Sequence, residues 1–229
     1  MGGKRRRKPG ERAGLDVDAV LAKARGISEE EGLENLTMRR LAQRLGVSPN
    51  ALYSHFQGKD ALLDGLVDSF IGDVEVPPLE RMGWRQGLVE LMRSTRRFLL
   101  THADLLPHLL ARPTRGPNAI RLGEAMLSLL ARADVEGRKA ADALQILLVY
   151  TFGFAAQEAP RRLDPEAPLA RELSEEAFRS SRDRPRMREL AEPLAEYPGG
   201  DTFEKGLGWL LDGIAAGAAA GARRQRPGT

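Results

Sequence analysis

Side chains that form hydrogen bonds cluster between residues 50 and 59, and their chemistry suits a nucleic acid. They are Asn50, Tyr53, Ser54, His55 and Lys59. All of them can donate hydrogen bonds to phosphate oxygens or to base edges. At 100° per residue of helix, Asn50 and Ser54 point away from the apolar Leu52 and Phe56. The segment therefore presents a short polar face that predicts contact with DNA.

The residue types that catalysis requires are scarce. The chain has three histidines, His55, His102 and His108, and no cysteine. It has no Gly-rich phosphate loop and no paired-acid motif, so no catalytic set is recognisable. The lack of cysteine also excludes a disulfide framework and a thiolate zinc site, and it fits a reducing compartment. We predict that the protein is not an enzyme and carries no cofactor.

Two short helices joined by a tight turn must position the polar face. Thr37 is a suitable N-cap for the first helix, and Gly46 stands where a left-handed terminator is needed. Ser48 is a second N-cap, and Pro49 takes the first helical position, where a missing N–H costs nothing. Residues 37–59 therefore predict a helix-turn-helix. The alternative, an ordinary helical hairpin within a core, has no need of a polar solvent face.

Charge and composition indicate an aliphatic, helical protein with a basic beginning. The chain has 229 residues, 42% of them hydrophobic and 5% aromatic, and a net charge of +3. The first 60 residues hold 12 Lys/Arg and 8 Asp/Glu. We predict a disordered basic tail over residues 1–14, either solvated or in contact with a DNA backbone or minor groove. The longest nearly apolar run, residues 146–156, is too short to span a bilayer, which predicts a cytoplasmic protein without a membrane.

Apolar residues recur at helical spacing along most of the chain. The pattern predicts a first helix from Asp16 to Gly32 and a fourth that starts at Lys59 and is stopped by Val76–Pro78. Further helices are predicted over 84–102, 119–132, 138–158 and 206–220, with a short apolar piece at 105–110. No strand signal is present, so the predicted class is all-α. The domains expected are a helix-turn-helix domain over 15–75 and a helical effector-binding and dimerisation domain over 79–222.

Two regions of the second half are predicted to be poorly structured. Residues 160–200 are rich in Arg, Glu and Pro, which predicts a mobile surface connection with marginal helical pieces. The tail from Ala215 is rich in small residues and is predicted to fray.

The run from Leu36 to Leu63, which contains LAQRLGVS, ALYSHF and KDALL in order, resembles the DNA-binding domain of the TetR family of one-component repressors. The resemblance implies DNA contacts by Thr37, Arg39, Ser48, Pro49, Asn50, Ala51, Tyr53, Ser54, His55 and Lys59. Among these, Ser48 to Ala51 and Ser54 would face the major groove. The others would mostly reach the backbone phosphates.

Three later runs resemble the tetracycline-repressor branch of that family: HLLARPT from His108, YTFGFAAQEA from Tyr150 and FEKGLGWLLDGI from Phe203. The resemblance implies a homodimer, in which the helices of the second and third runs form a four-helix bundle with the partner subunit. The first run would lie in the wall of an effector pocket. The expected effector-binding residues are His108, Arg112, Pro113, Glu124 and Gln157.

No metal site is predicted. In that branch a histidine at the position of His108 ligates magnesium carried by the drug, but Gln157 stands here where a carboxylate would be expected, and Mg²⁺ prefers oxygen ligands of that kind. His108 is then a hydrogen-bond partner for an uncharged or anionic ligand, or a residue of the pocket wall or core. A further group of large side chains either lines an apolar cavity or belongs to the core. They are Trp84, Phe98, Met126, Phe152 and Phe154.

The favoured function is a dimeric, ligand-responsive transcriptional regulator, most often a repressor, that binds an inverted-repeat operator. The alternative is a DNA-binding protein that answers to a protein partner, or acts architecturally, without a small ligand.

Overall fold

The chain is helical in both of its parts. The computed structural model describes residues 16–112, 114–163, 166–180, 183–195 and 200–224. The chain divides into two compact units between Ser69 and Phe70. Helices α1 to α4 span Val17–Glu31, Met38–Leu45, Pro49–Tyr53 and Lys59–Ile71. Helices α5 to α12 span Trp84–Thr101, Leu106–Ala111, Pro117–Ala131, Gly137–Leu163, Ala167–Arg179, Pro185–Glu189, Ala191–Ala195 and Gly200–Arg224. No strand occurs within the described ranges, and the all-α prediction is confirmed.

Helix α1 begins and ends at the caps that the sequence predicts. Asp16 Oδ1 accepts a hydrogen bond from the N–H of Asp18 at 3.1 Å. Gly32 ends the helix with φ of +91°, a conformation that side chains rarely adopt. Buried apolar side chains on α1 to α4 and on the turn after α3 form the core of the first unit. They are Val20, Ala24, Ile27, Leu41, Ala42, Leu52, Phe56, Leu62 and Leu66.

Ion pairs join α2 to α1 at the surface. Arg40 and Arg44 both donate to Glu31 Oε1, at 2.9 and 2.5 Å, and Arg44 also donates to Glu30 Oε2 at 2.8 Å. The hydrogen bonds from Arg40 and Arg44 lower the pKa of Glu31. These two guanidinium groups therefore link α2 to the C-terminal end of α1 at the surface.

Helix α5 is central to the second unit and packs against α7 and α8. Its side chains Leu88, Leu91, Met92 and Leu99 are fully buried. Gly87 permits the close approach of α7, because a Cβ at this position would lie 2.6 Å from Leu129 Cδ2.

Arginines of α5 bind carboxylates of α8 and α12. Arg96 donates to Glu158 Oε2 of α8 at 2.9 and 2.5 Å, and the two side chains are only 14% and 11% exposed. Arg93 donates to both carboxylate oxygens of Glu204 of α12, at 2.7 and 2.8 Å. The Arg96 guanidinium also lies 4.9 Å from the centre of the Phe203 ring. Charge-assisted hydrogen bonds thus join α5 to both helices.

The prediction that residues 160–200 contain only marginal helical pieces is wrong for the described part of that segment. Helix α8 continues through Pro160, and α9, α10 and α11 follow. The helices tolerate the prolines because Pro168 and Pro185 lie in first turns, where no intrahelical donor is lost.

The predicted ends of two other helices also differ from the structure. Helix α12 continues to Arg224 instead of fraying from Ala215, in keeping with the high helix propensity of alanine. Helix α4 ends at Ile71, before the predicted stop at Val76–Pro78. The cause is a turn after α4, in which the N–H of Val74 donates to the carbonyl of Ile71 at 3.0 Å.

Candidate DNA-binding surface and effector cavity

The turn between α2 and α3 has the geometry that the sequence predicts. Thr37 Oγ1 accepts a hydrogen bond from the N–H of Arg40 at 3.1 Å and caps α2. Gly46 adopts the left-handed conformation, with φ of +68° and ψ of +31°. The N–H of Val47 then donates to the carbonyl of Ala42 at 3.0 Å and closes the turn. Both caps are confirmed.

Helix α3 is shorter than predicted. Ser48 takes the N-cap position with extended backbone, but its side chain makes no capping hydrogen bond, and Pro49 opens the helix. The helix ends at Tyr53, and Ser54 Oγ donates to the carbonyl of Ala51 at 2.7 Å, which competes with further helical bonding. The spacing predicts that Phe56 is buried as a residue of this helix. It is buried, but it lies in the turn after α3.

The sequence-predicted DNA contacts are accessible to a ligand. Thr37, Arg39, Ser48, Pro49, Asn50, Tyr53, Ser54, His55 and Lys59 are exposed, and Ala51 is half-buried. Tyr53 is 53% exposed, which is unusual for a large aromatic side chain and leaves its hydroxyl and ring available. Lys59 is the first residue of α4, where its charge adds to the positive end of the helix dipole. The segment therefore offers hydrogen-bond donors over a buried apolar base.

A cavity of about 180 Å³ lies inside the second unit. Its walls come from the end of α4, the residues after α4 and α6, and helices α5 to α8. The described residues that line it are Ile71, Val74, Thr95, Phe98, Leu99, Leu109, Thr114, Ala119, Leu122, Gly123, Met126, Leu144, Leu148 and Phe152. All are apolar apart from two threonines, so the cavity can take an apolar molecule.

The predicted effector residues lie outside this lining. His108 of α6 is half-buried, while Arg112, Glu124 and Gln157 are exposed. None of these four lines the cavity. Pro113 lies outside the described residues. The assignment of these residues to an effector stays a prediction.

Three of the five large apolar side chains line the cavity, and the other two are half-buried elsewhere. Phe98, Met126 and Phe152 line the cavity, whereas Trp84 and Phe154 do not. The Phe154 ring lies 5.6 Å from that of Tyr150 and 5.3 Å from that of Phe203, between α8 and α12. Periodicity could not separate these groups, because helical spacing does not show which neighbouring element covers a side chain.

The described residues contain no group of three or more His, Cys, Asp or Glu side chains that could hold a metal ion. His108 is accordingly not part of such a group.

Helices α8 and α12 carry apolar side chains that this single chain leaves exposed. Ile146 and Val149 of α8 are 47% and 63% exposed, and Trp209 of α12 is 75% exposed. The apolar run 146–156 is too short to span a bilayer. By length and composition alone, however, the longer helical segment 137–160 could cross a membrane, and 28% of its most apolar part is buried.

A helix-turn-helix unit followed by a second helical unit is an arrangement typical of DNA-binding transcriptional regulators. The family model described as "Bacterial regulatory proteins, tetR family" matches residues 20–66, and "Tetracyclin repressor-like, C-terminal domain" matches residues 76–217. The chain belongs to the TetR family of transcriptional regulators, which is not a family of enzymes.

Similar proteins extend over most of the chain. An HTH-type transcriptional regulator of Saccharopolyspora erythraea is 31% identical over 89% of this chain and 86% of the relative. The class A tetracycline repressor of transposon 1721 from Escherichia coli is 31% identical over 88% of this chain and 91% of that protein.

A solved structure of the TetR-family protein ActR from Streptomyces coelicolor is also similar. Its apo form has a TM-score of 0.81 and 31% identity, with 91% of this chain and 99% of that chain covered. The complex of ActR with actinorhodin has a TM-score of 0.79 and 32% identity, with 89% and 98% covered. One of the similar proteins thus binds a small molecule.

Proposed function

We propose that this protein is a ligand-responsive transcriptional repressor that binds an inverted-repeat operator as a homodimer and is released by a small molecule. The observation that carries the proposal is the path of α4. Its first residue is the exposed Lys59, among the predicted DNA contacts, and its last residue, Ile71, lines the cavity. A molecule in the cavity therefore touches the same helix that begins beside the DNA-binding face.

The DNA contacts follow from the chemistry of the exposed residues. Asn50 and Ser54 are suited to base edges in the major groove, whereas Tyr53 and Lys59 are suited to phosphates. Arg40 and Arg44 are engaged by Glu30 and Glu31 and are not assigned to DNA.

A homodimer accounts for the exposed apolar faces of α8 and α12. Two-fold symmetry would bring the same patch of each subunit together and cover Val149 and Trp209. Two recognition helices related by a two-fold axis read two half-sites in opposite orientation, hence the inverted repeat. Because a repressor acts where its operator DNA is, we also propose that this protein acts in the cytoplasm.

Release requires only that the effector prefers one of two states. A ligand that binds the state without operator more tightly lowers operator affinity by the same coupling free energy, typically about 1–3 kcal/mol. Contact with Ile71 gives the ligand a means of distinguishing positions of α4.

The test is an in vitro selection of random DNA duplexes with the full-length protein at moderate salt. We expect enrichment of an inverted repeat, because two equivalent reading heads bind together. The alternative is an architectural or partner-controlled DNA-binding protein without a small ligand. If no sequence is enriched and binding is lost as the salt concentration rises, the basic residues 1–14 dominate the interaction and the alternative is correct.

A further inference from the structure

We propose that the cavity of the second unit takes a neutral, largely apolar molecule of one or two rings, which donates one hydrogen bond to Thr95 and carries no metal ion. This inference rests on the proposed function, in which the cavity is the effector site. It names the chemical class of the effector.

The electrostatics of the lining exclude a charged ligand. Among the described residues that line the cavity none is ionisable, and the polar groups are the hydroxyls of Thr95 and Thr114. An ion that enters such a site loses its hydration and gains no opposite charge. His108, Glu124 and Gln157, the polar residues that the resemblance assigns to an effector, lie outside the lining.

The volume limits the size of the ligand. Pockets for drug-sized molecules typically measure about 300–1,000 Å³. An apolar cavity of about 150 Å³ stays dry and binds benzene. The cavity here measures about 180 Å³, which suits a compound of one or two fused rings.

The hydrogen bond that Thr95 already makes determines whether a ligand must donate or accept at this residue. Thr95 as a residue is 2% exposed, and its hydroxyl donates to the carbonyl of Leu91 at 2.9 Å. Because the proton is used within α5, the oxygen offers only its lone pairs to a ligand. A ligand hydroxyl can satisfy it as a donor, whereas an ether oxygen cannot.

The experiment is equilibrium dialysis of the full-length protein against naphthalene, 1-naphthol and 1-naphthoate, with EDTA or with Mg²⁺. We expect naphthalene and 1-naphthol to bind, 1-naphthoate to bind at least about 100-fold more weakly, and Mg²⁺ to change none of these affinities. Thr95→Val should weaken the binding of 1-naphthol by about 3- to 10-fold and leave the binding of naphthalene unchanged, since only 1-naphthol donates a hydrogen bond.

A pair of glycine variants locates the binding. A Cβ at Gly123 meets only Leu144 Cδ1, at 4.0 Å, so Gly123→Leu would fold and fill the cavity. Binding of both neutral probes should be lost. Gly26 is also helical and has open space around it, and Gly26→Leu should bind them normally.

Equal binding of 1-naphthoate, a requirement for Mg²⁺, unchanged binding in Gly123→Leu, or no binding of either neutral probe would overturn the ligand class. Operator binding is measured in the same preparations. A protein that binds its selected operator but none of the neutral probes disproves only the ligand class. A protein that binds the probes but selects no operator disproves the regulator instead.

Discussion

At the scale of single residues, the burial of an ion pair decides how much it contributes to stability. The Arg96–Glu158 pair between α5 and α8 is nearly buried, whereas the Arg138–Asp142 pair on α8 has side chains 88% and 54% exposed. Water screens the second pair and leaves it little net effect. Removal of one partner from the first pair leaves a guanidinium with poor hydration.

We therefore predict that Glu158→Ala lowers the free energy of unfolding by about 3 kcal/mol. Urea denaturation at a fixed protein concentration, followed by circular dichroism, measures the change. Asp142→Ala is the matched control and should leave the midpoint unchanged. Equal effects of the two substitutions would mean that the Arg96–Glu158 pair is no more important than a surface pair.

The proposed phosphate contacts of the helix-turn-helix unit give a second prediction at this scale. Tyr53→Phe and Lys59→Ala should weaken binding to the selected operator and to unrelated DNA by the same factor, because phosphates carry no sequence information. Lys59→Ala should also reduce the slope of log K against log salt by about one. Titrations at several salt concentrations measure both, with the exposed Lys205 of the second unit replaced by Ala as control. Unchanged affinity in both variants would remove these residues from the interface.

Sequence predicts some of these residues well and others poorly, for a physical reason. Thr37 and Gly46 could be identified because a cap depends on neighbours within a few positions. The cavity lining could be identified only in part: Phe98, Met126 and Phe152 are among the candidates, whereas the place of Thr95 depends on how separate helices pack. The resemblance pointed instead to His108 and Gln157, which lie outside the lining.

At the scale of elements, conformation at single glycines fixes where helices begin and end. Gly46 separates α2 from α3 with positive φ, and a Cβ there would meet no other atom within 4 Å. The cost of a larger residue is therefore a backbone cost and not a clash. Gly26 also has open space, but it lies within α1.

The two glycines give a third prediction. Gly46→Ala should destabilise the protein by about 1–2 kcal/mol, because left-handed backbone is unfavourable for alanine. Gly26→Ala should stabilise it by about 0.5–1 kcal/mol, because alanine has the higher helix propensity. Denaturation at equal protein concentration compares them. If both substitutions shift stability in the same direction, Gly46 is not held in the left-handed conformation in solution.

The helices themselves were predictable wherever one apolar face repeats. The exceptions are α9 to α11, where dense charge and proline obscured the pattern. A proline in the first turn is compatible with a helix, because no intrahelical donor is lost there. Pro185 opens α10 in this way.

At the scale of the whole molecule, the proposed homodimer would bury exposed side chains of α8 and α12. Trp209 is 75% exposed on α12, and Val149 is 63% exposed on α8. Aromatic anchors of this size contribute strongly to interfaces.

We predict that Trp209→Glu converts a dimer into a monomer with much weaker operator affinity, because a buried carboxylate opposes the interface and one reading head binds alone. Sedimentation velocity and gel shift with the selected operator measure the two effects. Val17→Glu replaces another exposed apolar residue, in the first unit, and should remain dimeric. A Trp209→Glu variant that sediments as a dimer would place the interface elsewhere.

In the proposed repressor, helix α4 would convert a small rotation at its cavity end into a displacement at its DNA-binding end. Its 13 residues run without interruption from Lys59 to Ile71, a length of about 18 Å at the rise of an α-helix. A rotation of about 5° about one end displaces the other by about 1.6 Å, given that length. Hydrogen bonds tolerate only about 0.5 Å of variation in distance. A ligand of one or two rings would therefore need to shift the end of this helix by less than the width of one atom to break the proposed contacts with DNA.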